Sequence, residues 1–398
     1  MKILITTDWY APTVNGVVTS VLNLRRELIR RRHEVRVLTL SQTLHSYESD
    51  GVTYIGSVGA GKIYPGARIK AALSSGFVQR ILDWKPDIIH SQCEFSTFLM
   101  ARRIAKRLSI PIVHTYHTVY EDYTHYFMSN KKWGRQMTST LSRWVIEQCA
   151  SVIAPTEKVR AVLSGYGIDR PIHVVPTGID LDRFTAETSE EKKFDIRKRL
   201  DIPDENRILL YIGRLAKEKN LEELLGYYAK QDTRTLTFLI VGDGPYRDTL
   251  EKMALDLGIG DSVRFAGMIP PEQIGDFYHM GDLFVSASVS ETQGLTYIEA
   301  LASGLPALCR RDACLDGVIL DGYNGWQYET EREYLADMRL LLSDAVIQKI
   351  MRKNAAKFAQ QAFSAAAFAE RAEKVYFETL GEANIEERAV CSEVIPCR

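Results

Sequence analysis

Short apolar runs alternate with longer amphipathic segments through the first half of the chain. A short apolar run that ends in polar residues is typical of a buried strand, and an amphipathic segment after it predicts a helix. The strands predicted in this way cover residues 2–6, 33–39, 88–91, 112–115 and 152–155. Their regular alternation with helical segments predicts a parallel, doubly wound α/β sheet.

A second series of the same kind occupies the rest of the chain. Its predicted strands cover residues 207–212, 237–241, 263–265 and 283–287. A chain of 398 residues is long enough for two domains that each bury a core. We therefore predict two Rossmann-like domains, at residues 1–178 and 179–362, and a loose tail at 381–398.

The most informative stretch of the second series follows its last predicted strand and continues as a helix. Gly294 and Leu295 lie at the strand-to-helix turn, where backbone N–H groups without an intrahelical acceptor can hold a phosphate or a sugar hydroxyl. Glu291 lies just before the helix and Glu299 about two turns along it, so the carboxylates can reach different parts of one elongated ligand. A nucleotide sugar fits this pattern. The alternative is that both glutamates are solvated charges at a helix end.

Another strand-to-helix turn carries two cations. Arg214 and Lys219 flank the turn that begins at Gly213, directly after the predicted strand at 207–212. Both side chains can converge on a diphosphate held at the N-terminus of the next helix. The alternative is a solvated loop.

The first predicted strand runs into a glycine-bearing loop. The loop contains Gly16 but no G-x-G-x-x-G pattern, so by itself it is weak evidence for nucleotide binding. The alternative is a plain helix start that Asn15 caps.

Histidine and tyrosine residues are concentrated just after one predicted strand. His114 falls on the strand and is expected to be buried, whereas His117 follows the strand end, where functional residues concentrate. A metal site that includes His125 is an alternative, but the histidine spacing matches no common ligand pattern. Asp180 and Asp182 form a D-x-D pair in the linker, where we expect turn chemistry rather than metal binding.

The composition is ordinary for a globular protein, with 45% hydrophobic and 25% charged residues. No apolar run is long enough to span a bilayer, and the chain enters a strand at once rather than a signal peptide. We therefore expect a cytoplasmic protein. The six cysteines form no C-x-x-C pair and are expected to be reduced thiols rather than a disulfide framework or a zinc site.

The net charge of −1 hides an asymmetry along the chain. Residues 1–170 contain 23 Lys and Arg against 13 Asp and Glu, and the remainder contains 27 against 38. Residues 61–85 and 99–108 mix cations with aromatic and aliphatic residues, which suits helices at an anionic membrane surface rather than a nucleic acid partner. The cations of the second segment are Arg102, Arg103, Lys106 and Arg107. The alternatives are an amphipathic helix packed on the core and a solvated basic face.

Several of these elements, in the same order along nearly the whole chain, resemble the motifs of the retaining GT-B glycosyltransferases of family 4. The matching patterns are P-x-x-x-G at 12–16, P-x-G-I-D-x-x-x-F at 176–184, G-R-x-x-x-x-K at 213–219 and E-x7-E at 291–299. The resemblance implies the GT-B fold, in which two Rossmann-like doubly wound parallel-sheet domains face each other across a cleft and the second carries the nucleotide. It also implies that a helix at 363–380 returns to pack on the first domain.

The same resemblance implies a role for each motif residue. The implied catalytic residues are His117, which approaches the donor sugar, Arg214 and Lys219, which hold the leaving diphosphate, and Glu291, which contacts the sugar. The implied donor-binding residues are Gly16, Gly213, Met268, Gly294, Leu295 and Glu299. Among these, Glu299 would contact the ribose, and backbone groups at Met268 would contact the base. The implied reaction is a front-face transfer of a hexose with retention, without a metal or another cofactor.

Residues 121–126 look like the corresponding segment of bacterial diacylglycerol glucosyltransferases. This narrower resemblance implies transfer of glucose from UDP-glucose to the 3-hydroxyl of 1,2-diacylglycerol, which gives α-monoglucosyl diacylglycerol at the inner face of the cell membrane. Tyr123, His125 and the basic helix would then lie on the acceptor or membrane side. The alternatives are a soluble or different lipid acceptor, a different nucleotide sugar, a phosphorylase, and a nucleotide-sugar-binding protein without catalysis. The sequence does not distinguish glucose from galactose as the sugar, or UDP from GDP as the nucleotide. It does not determine the oligomeric state.

Overall fold

The computed structural model describes residues 1–13, 15–59, 68–69, 76–117 and 131–393. The chain divides into two compact units. The first unit comprises Met1–Gly178 and the chain from Ala365 onward, and the second comprises Ile179–Ser364.

In the described residues, the first unit contains an eight-stranded sheet and a separate two-stranded ribbon. The strands are β1 (Lys2–Thr6), β2 (Glu34–Leu40), β3 (Tyr47–Ser49), β4 (Val52–Ile55), β5 (Val58–Gly59), β6 (Arg68–Ile69), β7 (Ile88–Ser91), β8 (Ile112–Thr115), β9 (Ser151–Ala154) and β10 (Ile172–Val174). The order across the large sheet is β10-β9-β8-β7-β1-β2-β4-β3, and every pair in it is parallel except β3 with β4.

The helices of this part of the chain cover the sheet on both faces. They are α1 (Gly16–Arg30), α2 (Gly76–Trp84), α3 (Ser96–Leu108), α4 (Lys131–Glu147) and α5 (Glu157–Gly165). Strand β1 shows the consequence, because Ile3 and Ile5 belong to an apolar cluster with α1, whereas Leu4 belongs to another with α2 and α3. A parallel strand buried on both faces is apolar over most of its length, which is why the sequence pattern located β1.

The second unit contains a six-stranded sheet, and all its pairs are parallel. Its strands are β11 (Arg207–Ile212), β12 (Leu236–Val241), β13 (Val263–Gly267), β14 (Leu283–Ser286), β15 (Ala307–Arg310) and β16 (Gly325–Tyr328). Its helices are α6 (Asp182–Thr185), α7 (Glu190–Arg199), α8 (Leu221–Tyr228), α9 (Arg247–Asp256), α10 (Ile274–Met280), α11 (Leu295–Ala302), α12 (Glu331–Ser343) and α13 (Ala345–Ala362). Alternate residues of β11 face two different apolar clusters, with Leu210 in one and Leu209 in the other.

The strand order of each sheet contains a switch point. In the second unit the order is β13-β12-β11-β14-β15-β16. Strands β12 and β13 follow β11 on one side, and the chain then crosses to the other side of β11, where β14, β15 and β16 lie. In the first unit the same change of direction occurs between β1 and β7. Open α/β sheets bind their ligands outside the carboxyl ends of the strands at such points.

The last helix, α14 (Ala365–Glu393), belongs to the first unit. Phe368 and Tyr376 are buried in the same apolar cluster as α1, and the Glu373 carboxylate lies 2.6 Å from Nε2 of His33. The helix continues to Glu393, past the predicted tail boundary at residue 381. Residues 382–389 are mostly Glu, Ala and Arg, which favour a helix. The helix therefore continues through this segment although the segment has no apolar pattern.

Candidate active site

The carboxyl ends of β11 and β14 bring three predicted catalytic residues into one cluster in the second unit. Nζ of Lys219 lies 2.5 Å from Oε1 of Glu291, and both side chains are mostly buried, at 13% and 20% exposed. Arg214 forms an ion pair with Glu218 in the same loop. The hydroxyl of Ser290 donates to the carbonyl oxygen of Glu218 across 3.4 Å, which ties the loop after β14 to the loop after β11.

Glycines allow the loop after β11 to pass close to its neighbour. A Cβ atom at Gly213 would lie 2.8 Å from the hydroxyl of Tyr211. Gly242, at the end of β12, has a φ of +126°, and a Cβ atom there would lie 2.0 Å from the carbonyl oxygen of Gly213. The chain therefore requires small residues where the two strand ends meet.

The turn before α11 has the geometry that the sequence predicted. Gly294 has a φ of +71°, in the left-handed region that favours glycine, and α11 begins at Leu295. Among the described residues, no side chain caps this helix. Backbone N–H groups at its start are therefore available for a phosphate or a hydroxyl group.

Glu299 lies further along α11 in a more enclosed position. Its Oε2 accepts a hydrogen bond of 2.7 Å from the hydroxyl of Tyr278 on α10. Burial raises the pKa of the Glu299 carboxyl group to about 7, although the Tyr278 hydrogen bond and the charge of Arg183 act to lower it. The carboxyl group is enclosed by protein, whereas the residue as a whole is half-buried. Its charge therefore responds to pH near neutrality.

Met268 follows β13 at the same carboxyl edge of the sheet. Its side chain is 78% exposed, and the adjacent Gly267 accepts a hydrogen bond of 2.9 Å from the backbone N–H of Gly242.

In the first unit, Gly16 is the first residue of α1. Asn15 caps that helix, because its Oδ1 accepts a hydrogen bond of 2.9 Å from the N–H of Val18. The capping alternative is therefore correct, and a ligand role for Gly16 stays a prediction.

His117 follows β8, and its Nε2 lies 2.6 Å from Oε1 of Gln92, which follows β7. Burial lowers the pKa of His117 to about 4, so the imidazole is neutral at pH 7. His114 is fully buried, as predicted, with Nε2 3.5 Å from a carboxylate oxygen of Glu94. The sequence interpretation missed Gln92 and Glu94, although both directly follow a predicted strand, where ligand-facing residues concentrate.

Asp8 is another residue that the sequence interpretation did not single out. It follows β1, and its Oδ1 accepts a hydrogen bond of 2.8 Å from the N–H of Thr97 near the start of α3. Burial raises the pKa of Asp8 from 3.8 to about 6 despite that hydrogen bond. The folded state therefore holds the proton more tightly than the unfolded state, and stability falls as the pH rises from about 4 to about 6.

We expect Asp8→Asn to stabilise the first unit at pH 8 and to change little at pH 4, because the wild-type carboxyl group is then protonated. The full difference is on the order of 3 kcal/mol, from a pKa shift of about two units. Thermal unfolding of the variant and the wild type at both pH values measures it. Asp83→Asn, at an exposed position on α2, is the control. An equal effect of Asp8→Asn at both pH values would contradict the assignment.

The four predicted cations of α3 all lie on its exposed side: Arg102, Arg103, Lys106 and Arg107. Two large apolar side chains of the same region, Phe95 and Leu99, are 49% and 40% exposed. The opposite side of α3 packs in the core through Phe98 and Ile104. The helix is therefore amphipathic with a core-facing side, as one alternative held, and also presents a basic, partly apolar surface.

Other sequence predictions concern residues outside the described ranges. Tyr123 and His125 lie outside the described residues, as does most of the basic segment before α2.

Within the described ranges, no group of three or more His, Cys, Asp or Glu residues is placed to hold a metal ion. No helix in the same ranges is both long and apolar enough to cross a membrane.

A cavity of about 550 Å³ in the second unit lies away from the predicted donor residues. Residues of α7 line it together with Gly281 and Asp282, which directly precede β14. It therefore lies at the amino ends of the strands, opposite the edge that carries Lys219 and Glu291.

The two Rossmann-like units have the GT-B fold of the solved glycosyltransferases that the structure resembles. Residues 14–183 match the family model Glycosyltransferase Family 4, and residues 192–360 match the model Glycosyl transferases group 1. The chain belongs to glycosyltransferase family 4, which confirms the resemblance seen in the sequence.

Among the relatives that match most of the chain, two share one name. The alpha-monoglucosyldiacylglycerol synthase of Streptococcus pneumoniae is 37% identical over 84% of this chain and 76% of that protein. The enzyme of the same name from Acholeplasma laidlawii is 29% identical over 96% of this chain and 98% of that protein. The crystal structure of Anabaena Alr3699/HepE in complex with UDP and glucose has a TM-score of 0.72 at 17% identity and covers 95% of this chain and 100% of that one.

Proposed function

We propose that this protein transfers glucose from UDP-glucose to the 3-hydroxyl of 1,2-diacylglycerol and forms α-monoglucosyl diacylglycerol with retention at the anomeric carbon. The observation that carries the proposal is the cluster of Arg214, Lys219 and Glu291 at the β11/β14 switch point. The names of the two synthases support the lipid acceptor, and the HepE complex with UDP and glucose supports the donor.

The donor would lie along the carboxyl edge of the second sheet. From the resemblance to the family motifs, Arg214 and Lys219 would hold the diphosphate, with Gly213 and the N–H groups at Gly294 and Leu295 beside it. Glu291 would then accept hydrogen bonds from the sugar. Glu299 would bind the ribose, and backbone groups at Met268 would bind the base.

Arg214 and Lys219 each have a carboxylate partner, Glu218 for Arg214 and Glu291 for Lys219. A bound diphosphate would compete with these carboxylates for the same cations. Glu291 would then exchange its contact with Lys219 for hydroxyl groups of the sugar. The two carboxylates would thus neutralise the two cations until the donor binds. These ion pairs would rearrange when the diphosphate takes their place.

The proposed reaction needs no carboxylate nucleophile. The two cations would stabilise the negative charge that develops on the leaving diphosphate while the acceptor hydroxyl attacks from the same face of the sugar. Because His117 is neutral at pH 7, its role would be to donate or accept a hydrogen bond at the sugar rather than to supply charge. Gly16 would leave room for the phosphates and the acceptor.

The basic surface of α3 would hold the enzyme against an anionic membrane, on the inner face of the cell membrane. Each Lys or Arg near such a surface contributes about 1 kcal/mol, and the exposed Phe95 and Leu99 can insert between headgroups. Tyr123 and His125 would lie on the acceptor side of the site. The rival acceptors are soluble sugars and other lipids.

The proposal is tested with radiolabelled UDP-glucose and vesicles that contain diacylglycerol and an anionic phospholipid. Label extracted into organic solvent, and lost with Glu291→Ala, would support the lipid product. Label transferred only to a soluble acceptor would exclude diacylglycerol, and label transferred only to inorganic phosphate would identify a phosphorylase. Binding of UDP-glucose without transfer to any acceptor would leave a binding protein.

Membrane docking is tested by the double substitution of Arg103→Glu with Lys106→Glu, two exposed cations of α3. We expect the partition constant onto anionic vesicles to fall by at least about 30-fold, because two attractive charges are lost. The affinity for UDP is expected to stay unchanged. Lys349→Glu with Lys353→Glu, at exposed positions on α13, makes the same charge change elsewhere. Equal losses from both pairs would indicate a net-charge effect and contradict a docking surface on α3.

A further inference from the structure

Among the described residues, Tyr278 is the one that forms a hydrogen bond with the side chain of Glu299. The ring of Tyr278 is fully buried and packs edge-on against Phe184, with ring centroids 5.8 Å apart. It also contacts Phe284 on β14, with centroids 6.2 Å apart. These contacts fix the ring, and the ring fixes the direction of its hydroxyl group.

The hydroxyl of Tyr278 donates to one particular oxygen of Glu299. The donor–acceptor distance to Oε2 is 2.7 Å, shorter than the 3.3 Å from the same hydroxyl to the carbonyl oxygen of Thr296. Burial raises the pKa of Tyr278 well above its ordinary value, so the hydroxyl keeps its proton and remains a donor. Among the hydrogen bonds of the described residues, none reaches Oε1 of Glu299. One oxygen of the carboxylate is thus held by the core, and the other is left for a ligand.

We propose that Tyr278 is a positioning residue that anchors Oε2 of Glu299 and thereby presents Oε1 to a hydroxyl group of the nucleotide ribose. The inference rests on the proposed function, since it takes Glu299 as the ribose-binding carboxylate. Tyr278 acts through Glu299 and does not touch the donor. It would therefore set donor affinity rather than the rate of the chemical step.

The anchor has a second effect, because it stabilises the charged form of Glu299. The groups that face the carboxylate are Tyr278 from α10 and Arg183 from α6, and both lower its pKa against the effect of burial. Helix α13 packs on α11 through the neutral side chains of Ala355 and Ala359. An ionised carboxylate accepts stronger hydrogen bonds than the protonated form. Donor affinity should therefore rise with pH through the neutral range.

Removal of the Tyr278 hydroxyl should shift that pH dependence upward. Without the hydrogen bond the pKa of Glu299 rises, so more of the carboxyl group is protonated at pH 7. We expect Tyr278→Phe to raise KM for UDP-glucose about 10-fold at pH 7 while kcat stays within about 2-fold. The ratio of mutant to wild-type KM should fall towards about 2 at pH 9, where both carboxyl groups are ionised.

The experiment measures kcat, KM for UDP-glucose and the dissociation constant of UDP between pH 6 and 9 for the full-length protein. The variants are Tyr278→Phe, Glu299→Gln and the double variant. In the double variant, Tyr278→Phe should add no further loss to that of Glu299→Gln. Tyr228→Phe is the matched control, because Tyr228 is also fully buried in this unit and donates to the carbonyl oxygen of Leu236 across 2.6 Å. It should lower stability without changing the pH profile.

A pH-independent rise in KM for Tyr278→Phe, or an equal rise in the Glu299→Gln background, would show a merely structural role and overturn the inference. The pH dependence of KM in the wild type is a further test that does not depend on any variant folding. A wild-type KM for UDP-glucose that stays constant from pH 6 to 8.5 would also overturn the inference. Failure of the proposed function looks different. The wild type would then bind no UDP and transfer no glucose at any pH, which would overturn both proposals together.

Discussion

Substitution of Lys219 by Met is expected to lower kcat for glucosyl transfer by about 100- to 1,000-fold, with a smaller change in KM. Charge on the leaving diphosphate grows as the sugar bond breaks, so a fixed cation stabilises the transition state more than the ground state. Nζ of Lys219 is mostly buried, where an electrostatic interaction is stronger than in bulk water. Steady-state kinetics with UDP-glucose and diacylglycerol vesicles measure the effect.

Lys217→Met is the matched control, because Lys217 is an exposed cation two residues earlier in the same turn. It should change kcat by less than about 2-fold, because an exposed cation interacts only weakly with the charge on the leaving diphosphate. The double variant of Lys219→Met with Glu291→Gln separates two explanations. If Lys219 served only to neutralise Glu291, the second change would restore kcat. No restoration is expected, and a loss confined to KM would contradict a transition-state role.

Substitution of Gly294 by Ala is expected to destabilise the second unit by about 2–5 kcal/mol and to abolish most activity. The φ of +71° strains any residue with a Cβ atom, and the added Cβ would lie 2.5 Å from Cδ2 of Tyr297. The Tyr297 ring is buried, and its hydroxyl donates to Ser286 across 2.7 Å, so the ring has little freedom to move aside. The backbone of the turn must shift instead, together with the N–H groups proposed to bind the donor.

Differential scanning calorimetry of the full-length variant, with UDP binding measured separately, tests this expectation. Gly226→Ala is the control, because Gly226 lies within α8 and a Cβ atom there would meet nothing within 4 Å. Since Ala is a better helix former than Gly, this change should raise stability by up to about 1 kcal/mol. A melting profile of Gly294→Ala that matches the wild type, with UDP affinity retained, would refute the steric argument.

The sequence located the main strands closely because a parallel strand buried on both faces contains a nearly continuous apolar run. The prediction of 207–212 coincides with β11, and that of 112–115 coincides with β8. Shorter strands escaped the same analysis, among them the mostly buried β4, β15 and β16 and the exposed β3. Strand β3 has three exposed residues and pairs antiparallel with β4, so no apolar run marks it.

Motif spacing also located the main candidate site residues, but not their partners. Glu218 lies inside the G-R-x-x-x-x-K pattern, yet only the folded loop shows that it pairs with Arg214. Gln92 and Tyr278 belong to no motif, and each lies more than twenty residues from the side chain it holds. Local pattern carries no information about which distant side chains meet.

By itself, the sequence determined the two series of strands and helices, the family, and the residues that lie at strand ends. Those properties follow from burial and backbone geometry, which act over a few neighbouring positions. Only the tertiary structure decided that β11 lies beside β14, that Lys219 pairs with Glu291, and that Glu299 is enclosed enough for its pKa to reach about 7. These properties depend on distances between segments far apart in the chain, and the packing of the whole sheet sets those distances.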